Sequence, residues 1–534
     1  PDGTPSSGDE FQAGALADNG GPVQTVALRA DVTNPALDAG DDAFAPTSDA
    51  RGGVRLIDLA GVANNGTNEV DLGAFELQSR AAPPATLEVT TLADEAPDPA
   101  LDPGLEALRE SGEGLSLREA VYLANLDGDE TAITFAGGLA GGTLRLTEGE
   151  ISITEPVTIG GDLDGDGLGD ITISGDRLGN DITADGLTDV KATGTAGLSD
   201  NCRIFDITDA GADTTLSGLT LTGGRTTGFR QEGGGVRSVA PLTIEDSVIA
   251  GNSTSGDRSE GGGLASGNDA SVVLARTSVL DNFTSNTDGP GGGLFVDGFL
   301  TLTDSTVSGN GTDGLRSDGG GVYVNGALEM TNTTVTDNVT EGRFSDGGGV
   351  SQGVFQTATV TNSTITGNTA LGEGSNGGGL GFFDDISSPD LVLTNSIVLG
   401  NRATSQNEID FSDVGETFAG LNIVGPGADD DGSDGLINGD PAAVFAETRD
   451  LGGGVTAGVL ADNGGPVPTV ALLQGAANPA LDASAGDPAD IPGTDARGEA
   501  VGDVRGVGAE SGAGLRDLGA FEAVPEAPSL EVTT

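Results

Sequence analysis

The chain has 534 residues and a formal charge of -61, from 83 acidic against 22 basic side chains, with one cysteine, no histidine and no tryptophan. So acidic a surface repels a phosphate backbone, which argues against nucleic acid and makes cations its natural counterions, whether calcium or the ions of a salty habitat. A lone Cys202 forms no intramolecular disulfide, and no apolar run approaches the roughly 20 residues that span a bilayer, so the expectation is a long, stacked fold that inserts in no membrane.

The chain starts at Pro1 with no basic and then apolar leader, and reads as a piece of something longer whose export signal lies elsewhere. Residues 16–28, LADNGGPVQTVAL, return as LADNGGPVPTVAL at 460–472, an offset of 444. The echo continues in order: NPALDA at 34–39 and 478–483, DARG at 49–52 and 495–498, DLGAFE at 71–76 and 517–522, LEVTT at 87–91 and 530–534. Residues 1–78 are therefore expected to be the end of a preceding unit and 79–85 a Pro-containing connector. Residues 86–425 form the main body, 426–523 the closing segment, 524–529 a second connector and 530–534 the start of another unit.

The main body opens on LEVTTLADE (87–95), and the stretch GLSLREAVYLAN (114–125) predicts a short amphipathic helix over 116–125 that caps an open end. The loop DLDGDGLGD follows at 162–170. Asp162, Asp164 and Asp166 alternate, Gly167 allows a sharp turn, and Asp170 stands at the ninth position, so a short arc presents the hard oxygen donors that calcium takes. Ile173 occupies the twelfth position, where an EF-hand carries Glu, so the loop is a more compact one.

Gly-Gly-Gly then begins at residues 233, 261, 291, 319, 347 and 377. Each triplet precedes an aliphatic residue, then an alternating pair such as Leu300 and Leu302, then a β-branched residue from Ile249 to Val398. Three positions later comes an asparagine every time: Asn252, Asn282, Asn310, Asn338, Asn368 and Asn401. Alternation marks half-buried strands. Only the turn after the triplet strand changes length, as in a coil of three short strands per 28 to 30 residues whose other corners hold register. Such coils stack about 4.8 Å apart with like residues above like. The asparagines then form a structural ladder, although Asn252, Asn282, Asn310 and Asn338 also fall in glycosylation sequons. The row six residues earlier, from Asp246 to Asn395, has mixed chemistry and is expected to face solvent.

On the pieces GGGLFVDGFLTLTDSTVSGN (291–310) and GGGVSQGVFQTATVTNSTITGN (347–368), the chain resembles right-handed parallel β-helix surface proteins with polymorphic-outer-membrane-protein-like repeats. The resemblance covers about 86 to 424 and implies an all-β right-handed parallel β-helix. Its entry segment often carries Cys before Ser-Leu-Arg, where this chain has Leu115. The LADNGGP, NPALDA, DARG and DLGAFE pieces are similar to the choice-of-anchor Q domain, with Val26 and Val470 where that family usually has His. That likeness implies display at a cell surface rather than a reaction.

The remaining candidates are weaker. DDDGSDG (429–435) offers a second metal loop through Asp429, Asp431 and Asp434. Asp384 and Asp385 are the best adjacent acids for glycan hydrolysis, which needs two carboxylates at a set separation. Phe295 and Tyr323, outward on successive coils, would suit sugar stacking or form a surface ladder. The expectation is an extracellular, calcium-supported structural or adhesive module with no catalytic residues, whose partners are neighbouring copies of the same unit and surface glycans. The alternative is a secreted polysaccharide-binding or polysaccharide-degrading β-helix protein.

Overall fold

The computed structural model describes residues 86–95, 114–126, 130–179, 201–267, 270–353, 356–382, 390–405, 408–410, 415–425, 435–475, 477–481, 483, 494–497 and 517–521. The chain divides into two compact units, residues 1–84 with 96–115 and residues 85–95 with 116–534. The described strands and helices belong to the second.

These elements make a parallel β-solenoid. Sheet 1 holds eight strands, from Ile151–Ile153 to Leu380–Phe382, including each strand that follows a glycine triplet. Sheet 2 has eleven, from Thr86–Val89 to Gly415–Ala419, and sheet 3 has eleven, from Thr143–Arg145 to Leu436–Asn438. The three strands per coil expected from the repeat are all present. A fourth sheet, of two-residue strands from Arg225–Thr226 to Arg402–Ala403, follows the corner asparagines. Strands two residues long carry no alternation, which is why periodicity passes over them.

Register is kept residue for residue. Val236, Leu264, Leu294, Val322, Val350 and Leu380 pair in sequence down sheet 1. Ile249, Val279, Val307, Val335, Ile365 and Val398 do so down sheet 3. All are buried, so each coil supplies the same apolar faces to the next and a one-residue slip would turn them outward.

The glycine triplets have three separate causes. The first glycine has φ between 57° and 75°, a left-handed geometry that costs other residues energy. A Cβ on the second would run into a carbonyl of the neighbouring coil, and one on the third would press on the corner asparagine, as at Gly293 with Asn310.

The N-terminal end is closed as the sequence predicts. Helix α1, Leu117–Ala124, is capped by Ser116, whose hydroxyl accepts from the Glu119 N–H at 3.2 Å while Glu119 Oε2 accepts from the Ser116 N–H at 2.9 Å. It packs on the strands Thr86–Val89, Thr131–Phe135 and Ile151–Ile153. Arg118 gives the entry motif its purpose: it donates to both oxygens of Asp94, at 2.6 and 3.0 Å, and to the carbonyls of Gly149 and Glu150. Asp94 also accepts from the N–H groups of Thr147 and Glu148.

At the other end, the described parts of residues 441–521 fold back along the outer face of sheet 3. Val444, Phe445, Val470, Leu472, Leu481, Leu518 and Phe521 form one buried cluster with Ile397, Leu399 and Ile423 of the solenoid. Sheet 3 meets them with threonines: Thr306 Oγ1 donates to the Pro468 carbonyl at 2.6 Å, and Thr364 and Thr366 Oγ1 accept from the N–H groups of Ala520 and Gly458. The row expected to face solvent is split by this cover. Asp246, Arg276 and Asp304 remain partly exposed, but Asn332, Asn362 and Asn395 are buried, Asn332 donating to the Thr494 carbonyl at 2.8 Å. All six hold φ of 45° to 52°, a conformation that Asp and Asn tolerate best after glycine.

Arg118→Ala should lower the thermal midpoint by several degrees and expose the N-terminal coils first, because Asp94 would be left buried without its cation. Hydrogen exchange resolved by peptide checks this: protection should fall in residues 86–95 and 131–160 while residues 294–400 keep theirs.

Candidate functional site

Three groups of polar side chains stand out, and the first is the acidic loop. Asp162 accepts from the N–H groups of Gly165 at 2.7 Å and Gly167 at 3.1 Å, Asp164 from Asp166 at 3.2 Å, and Asp166 from Leu168 at 2.8 Å. Gly165 and Gly167 have φ of 78° and 80°, which lets the chain curl around the carboxylates. One oxygen from each of Asp162, Asp164 and Asp166 lies within 4.8 Å of the others, and Asp164 and Asp166 are exposed. Asp170 is placed apart from that trio; its Oδ2 accepts from the Leu163 N–H at 2.8 Å and closes the base of the loop. Three convergent hard oxygens on an open arc fit a calcium ion, which takes its further ligands from water and carbonyls. The second candidate set, Asp429, Asp431 and Asp434, lies outside the described residues, as do Asp384 and Asp385.

The second group is the corner asparagines, all 0 % exposed and therefore closed to glycan attachment in the folded chain. Each side-chain amide donates to the oxygen of the next: Asn252 to Asn282 at 3.0 Å, then Asn282 to Asn310, Asn310 to Asn338, Asn338 to Asn368 and Asn368 to Asn401, each at 2.9 Å. The same oxygens also accept the backbone N–H of the preceding asparagine, at 2.9 to 3.1 Å. The series ends on a residue that sequence reading missed. Glu408 accepts from the Asn401 amide at 2.9 Å and from the N–H groups of Gly400 and Asn401, each at 3.0 Å. It occupies the register place of a third triplet glycine, its carbonyl accepting from Gly379 and Leu380 as the Gly349 carbonyl accepts from Gly321 and Val322. Loss of the triplet after Asn401 is the only sequence sign of it. Burial, offset in part by hydrogen bonds from Asn401 and Gly400, raises its carboxyl to about 7.

The third group lines the outer face of sheet 1. Phe295 and Tyr323 stack with centroids 5.6 Å apart and planes 2° from parallel. Phe295 is 6 % exposed, so neighbours cover its ring; the pair is a ladder and not an open platform. Carboxylates rim the same face at the position before the triplets. Burial raises Glu260 to about 8, helped by the charges of Glu232 and Asp297 and opposed by Arg230. Burial likewise raises Asp318 to about 7 and Asp346 to about 6. Asp318 accepts from the Asp346 N–H at 2.8 Å and Asp346 from the Asn376 N–H at 2.6 Å, a second inter-coil ladder. Cys202 is no reactive thiol: burial, partly countered by Arg118, pushes it up to about 11.

No protein-family model matches the chain, and no curated protein matches it. Among solved structures it is similar to pectate lyase Pel9A, at 12 % identity and a TM-score of 0.38, over 82 % of this chain and 96 % of that one.

Glu260, Asp318, Asp346 and Glu408 bind protons more tightly folded than unfolded, where carboxyls titrate near 4. Their contribution to stability is complete below about pH 4 and is lost as pH rises through 6 to 8. The thermal midpoint should therefore fall between pH 5.5 and 8.5, and Glu260→Gln should flatten that slope. A midpoint that climbs over this range would contradict the assignment.

Proposed function

We propose that the chain is a structural module of an extracellular bacterial surface or filament protein, built from calcium-supported β-solenoid units about 444 residues apart. The observation that carries this reading is the run of six buried asparagines closed by Glu408. A continuous chain of amides through the solenoid serves rigidity along its axis and presents nothing to a substrate. The repeated closing motif supports it. In the second copy its residues hold the flank of sheet 3, and the same motif recurs in sequence at 16–76. Units then follow one another end to end, in tandem or by strand addition of an LEVTT segment. No helix among the described residues is long and apolar enough to cross a membrane.

Calcium at Asp162, Asp164 and Asp166, with Asp170 bracing the loop, would neutralise carboxylates that otherwise repel one another and tie the corner between the strands Val157–Gly160 and Ile171–Ser174. Chelation should lower the thermal midpoint by several degrees, and Asp164→Asn should remove the difference between calcium and chelator. A melt indifferent to chelator would sink the calcium assignment. The architecture is tested by the denatured mass of native material sheared from the source cells: many multiples of a 444-residue unit support it.

The second reading, a glycan-binding or glycan-degrading protein, is favoured by Glu260, a carboxyl raised to about 8 by burial and by the charges of Glu232 and Asp297. It requires release of reducing ends from neutral or acidic polysaccharides, abolished by Glu260→Gln. Absence of turnover across such a panel removes the degrading form of it.

A further inference from the structure

The turn between sheet 4 and sheet 1 forms an exposed ridge along the solenoid. Its tip residues stack in two columns, one of Phe229, Asp257, Thr287, Leu315, Arg343 and Glu373, the other of Arg230, Arg258, Asp288, Arg316, Phe344 and Gly374. The alignment is fixed by backbone bonds: the N–H groups of Arg230, Arg258, Asp288, Arg316 and Phe344 donate in turn to the carbonyls of Asp257, Thr287, Leu315, Arg343 and Glu373, at 3.0 to 3.2 Å.

Three properties set this ridge apart. Phe229, Leu315, Phe344 and the adjoining Leu371 are four of the eight large apolar side chains that stand exposed among the described residues, at 65 %, 41 %, 52 % and 41 %. Arg230, Arg258, Arg316 and Phe344 hold φ of 55° to 58°, where a side chain costs about 1 kcal/mol or more relative to glycine. Gly374 has the relaxed residue at the same place, so the other coils retain strained, exposed arginines and phenylalanine. Charge is also nearly balanced here: four arginines face five carboxylates, counting Asp313 and Glu341 beside the tips, in a chain with 83 acids to 22 bases.

We propose that this ridge is a contact surface for a second copy of the chain, docked antiparallel. Two copies at -61 repel each other across most of their surfaces. The ridge is where that repulsion is locally cancelled and apolar side chains are on offer. Its charge has a direction: the first two coils carry two arginines to one aspartate, and the last three carry two arginines to three carboxylates. A two-fold axis between the coils of Thr287 and Leu315 therefore sets Asp257 against Arg343 and Asp288 against Arg316, and lays Arg258 on the Phe344 ring. A parallel arrangement sets like coils together. The existing partners of these arginines do not compete strongly: Arg258 to Asp288 at 3.9 Å and Arg343 to Glu373 at 2.8 Å are exposed pairs of small worth, and Arg343 already lies 5.4 Å from the Phe344 ring.

Six coils make a strip roughly 24 Å long, which buries less than the roughly 800 Å² per partner of a standard interface. A single contact is weak, and repetition along a tandem chain would multiply it. The contact does not depend on calcium or on the tandem arrangement.

Sedimentation velocity of this chain over rising concentration, in moderate salt to screen the long-range repulsion, should show a reversible monomer–dimer equilibrium. Phe344→Glu should weaken it by about tenfold or more. In a Cys202→Ser background, mixing Asp257→Cys with Arg343→Cys should yield disulfide-linked heterodimers, while Asp257→Cys alone forms no disulfide-linked dimer. Monomer at every concentration overturns the proposal, as does dimerisation indifferent to Phe344→Glu. Cross-linking of Asp257→Cys with itself overturns the antiparallel arrangement. Unchanged melting of the variants shows that the fold is intact in each.

Discussion

A buried side-chain amide has two donors and an acceptor, and inside a solenoid all of them must be met by the coils above and below. That requirement governs the structure from Asn252 to Glu408. From Asn282 onward each amide oxygen takes two N–H groups from the preceding coil, so the series has a direction and its last donors need an acceptor that is not another asparagine. Leaving one such group unmet costs about 1–3 kcal/mol, and Asn401 with Gly400 presents three. Glu408 meets them all with two carboxylate oxygens. It gives up solvation to do so, which is why its carboxyl lies near 7. The requirement also sets the backbone: the third glycine of each triplet lies against the amide, and the residue before each asparagine, Gly or Asp, holds φ of 52° to 80°.

The period of the sequence made the repeated parts of this arrangement legible. Triplets, alternating pairs and corner asparagines recur because identical stacked environments select identical residues, and the stretch at 116–125 showed its helix through an amphipathic pattern, the capping box of Ser116 and Glu119 emerging only with the structure. What stayed hidden lacks either period or length. The two-residue strands have no pattern to detect. Glu408 breaks the repeat at the point where it ends the ladder. The row from Asp246 to Asn395 read as a solvent-facing corner because its chemistry is mixed. The common factor is backbone conformation, and the burial of its last three members comes from a segment distant in sequence.

That distant segment is the second copy of the long echo. Asn478 donates to the Val444 and Leu473 carbonyls and accepts from Ala480; Asp495 binds Arg497, whose guanidinium lies 4.0 Å from the Phe521 ring. Leu518 and Phe521 complete the cluster against Ile397 and Ile423. Asparagine, Asp-Ala-Arg and Leu-Gly-Ala-Phe are the residues that recur at 34, 49 and 72. In the second copy these residues cover a threonine-rich sheet flank. Without such a cover, the hydroxyls of sheet 3 would face water and its apolar neighbours would be half exposed.

Charge is distributed by the same logic. Most of the carboxylates among the described residues are exposed or partly exposed to water, where a Debye length of about 8 Å at physiological ionic strength limits their mutual repulsion. Several of those drawn inward are given donors: Asp94 an arginine and two N–H groups, Asp318 and Asp346 the N–H of the next coil, Glu408 three N–H groups. Arginine is scarce, and it goes where a carboxylate or a carbonyl must be held across coils. Arg203 joins Glu150, Asp206 and the carbonyls of Glu232 and Gly233, and Arg276 grips Asp246 through two nitrogens. The ridge departs from that economy, since its arginines stand exposed on strained backbone and hold little within their own chain. In a sequence with so few cations, a surface position that keeps them against a conformational cost is best understood as serving a contact outside the fold.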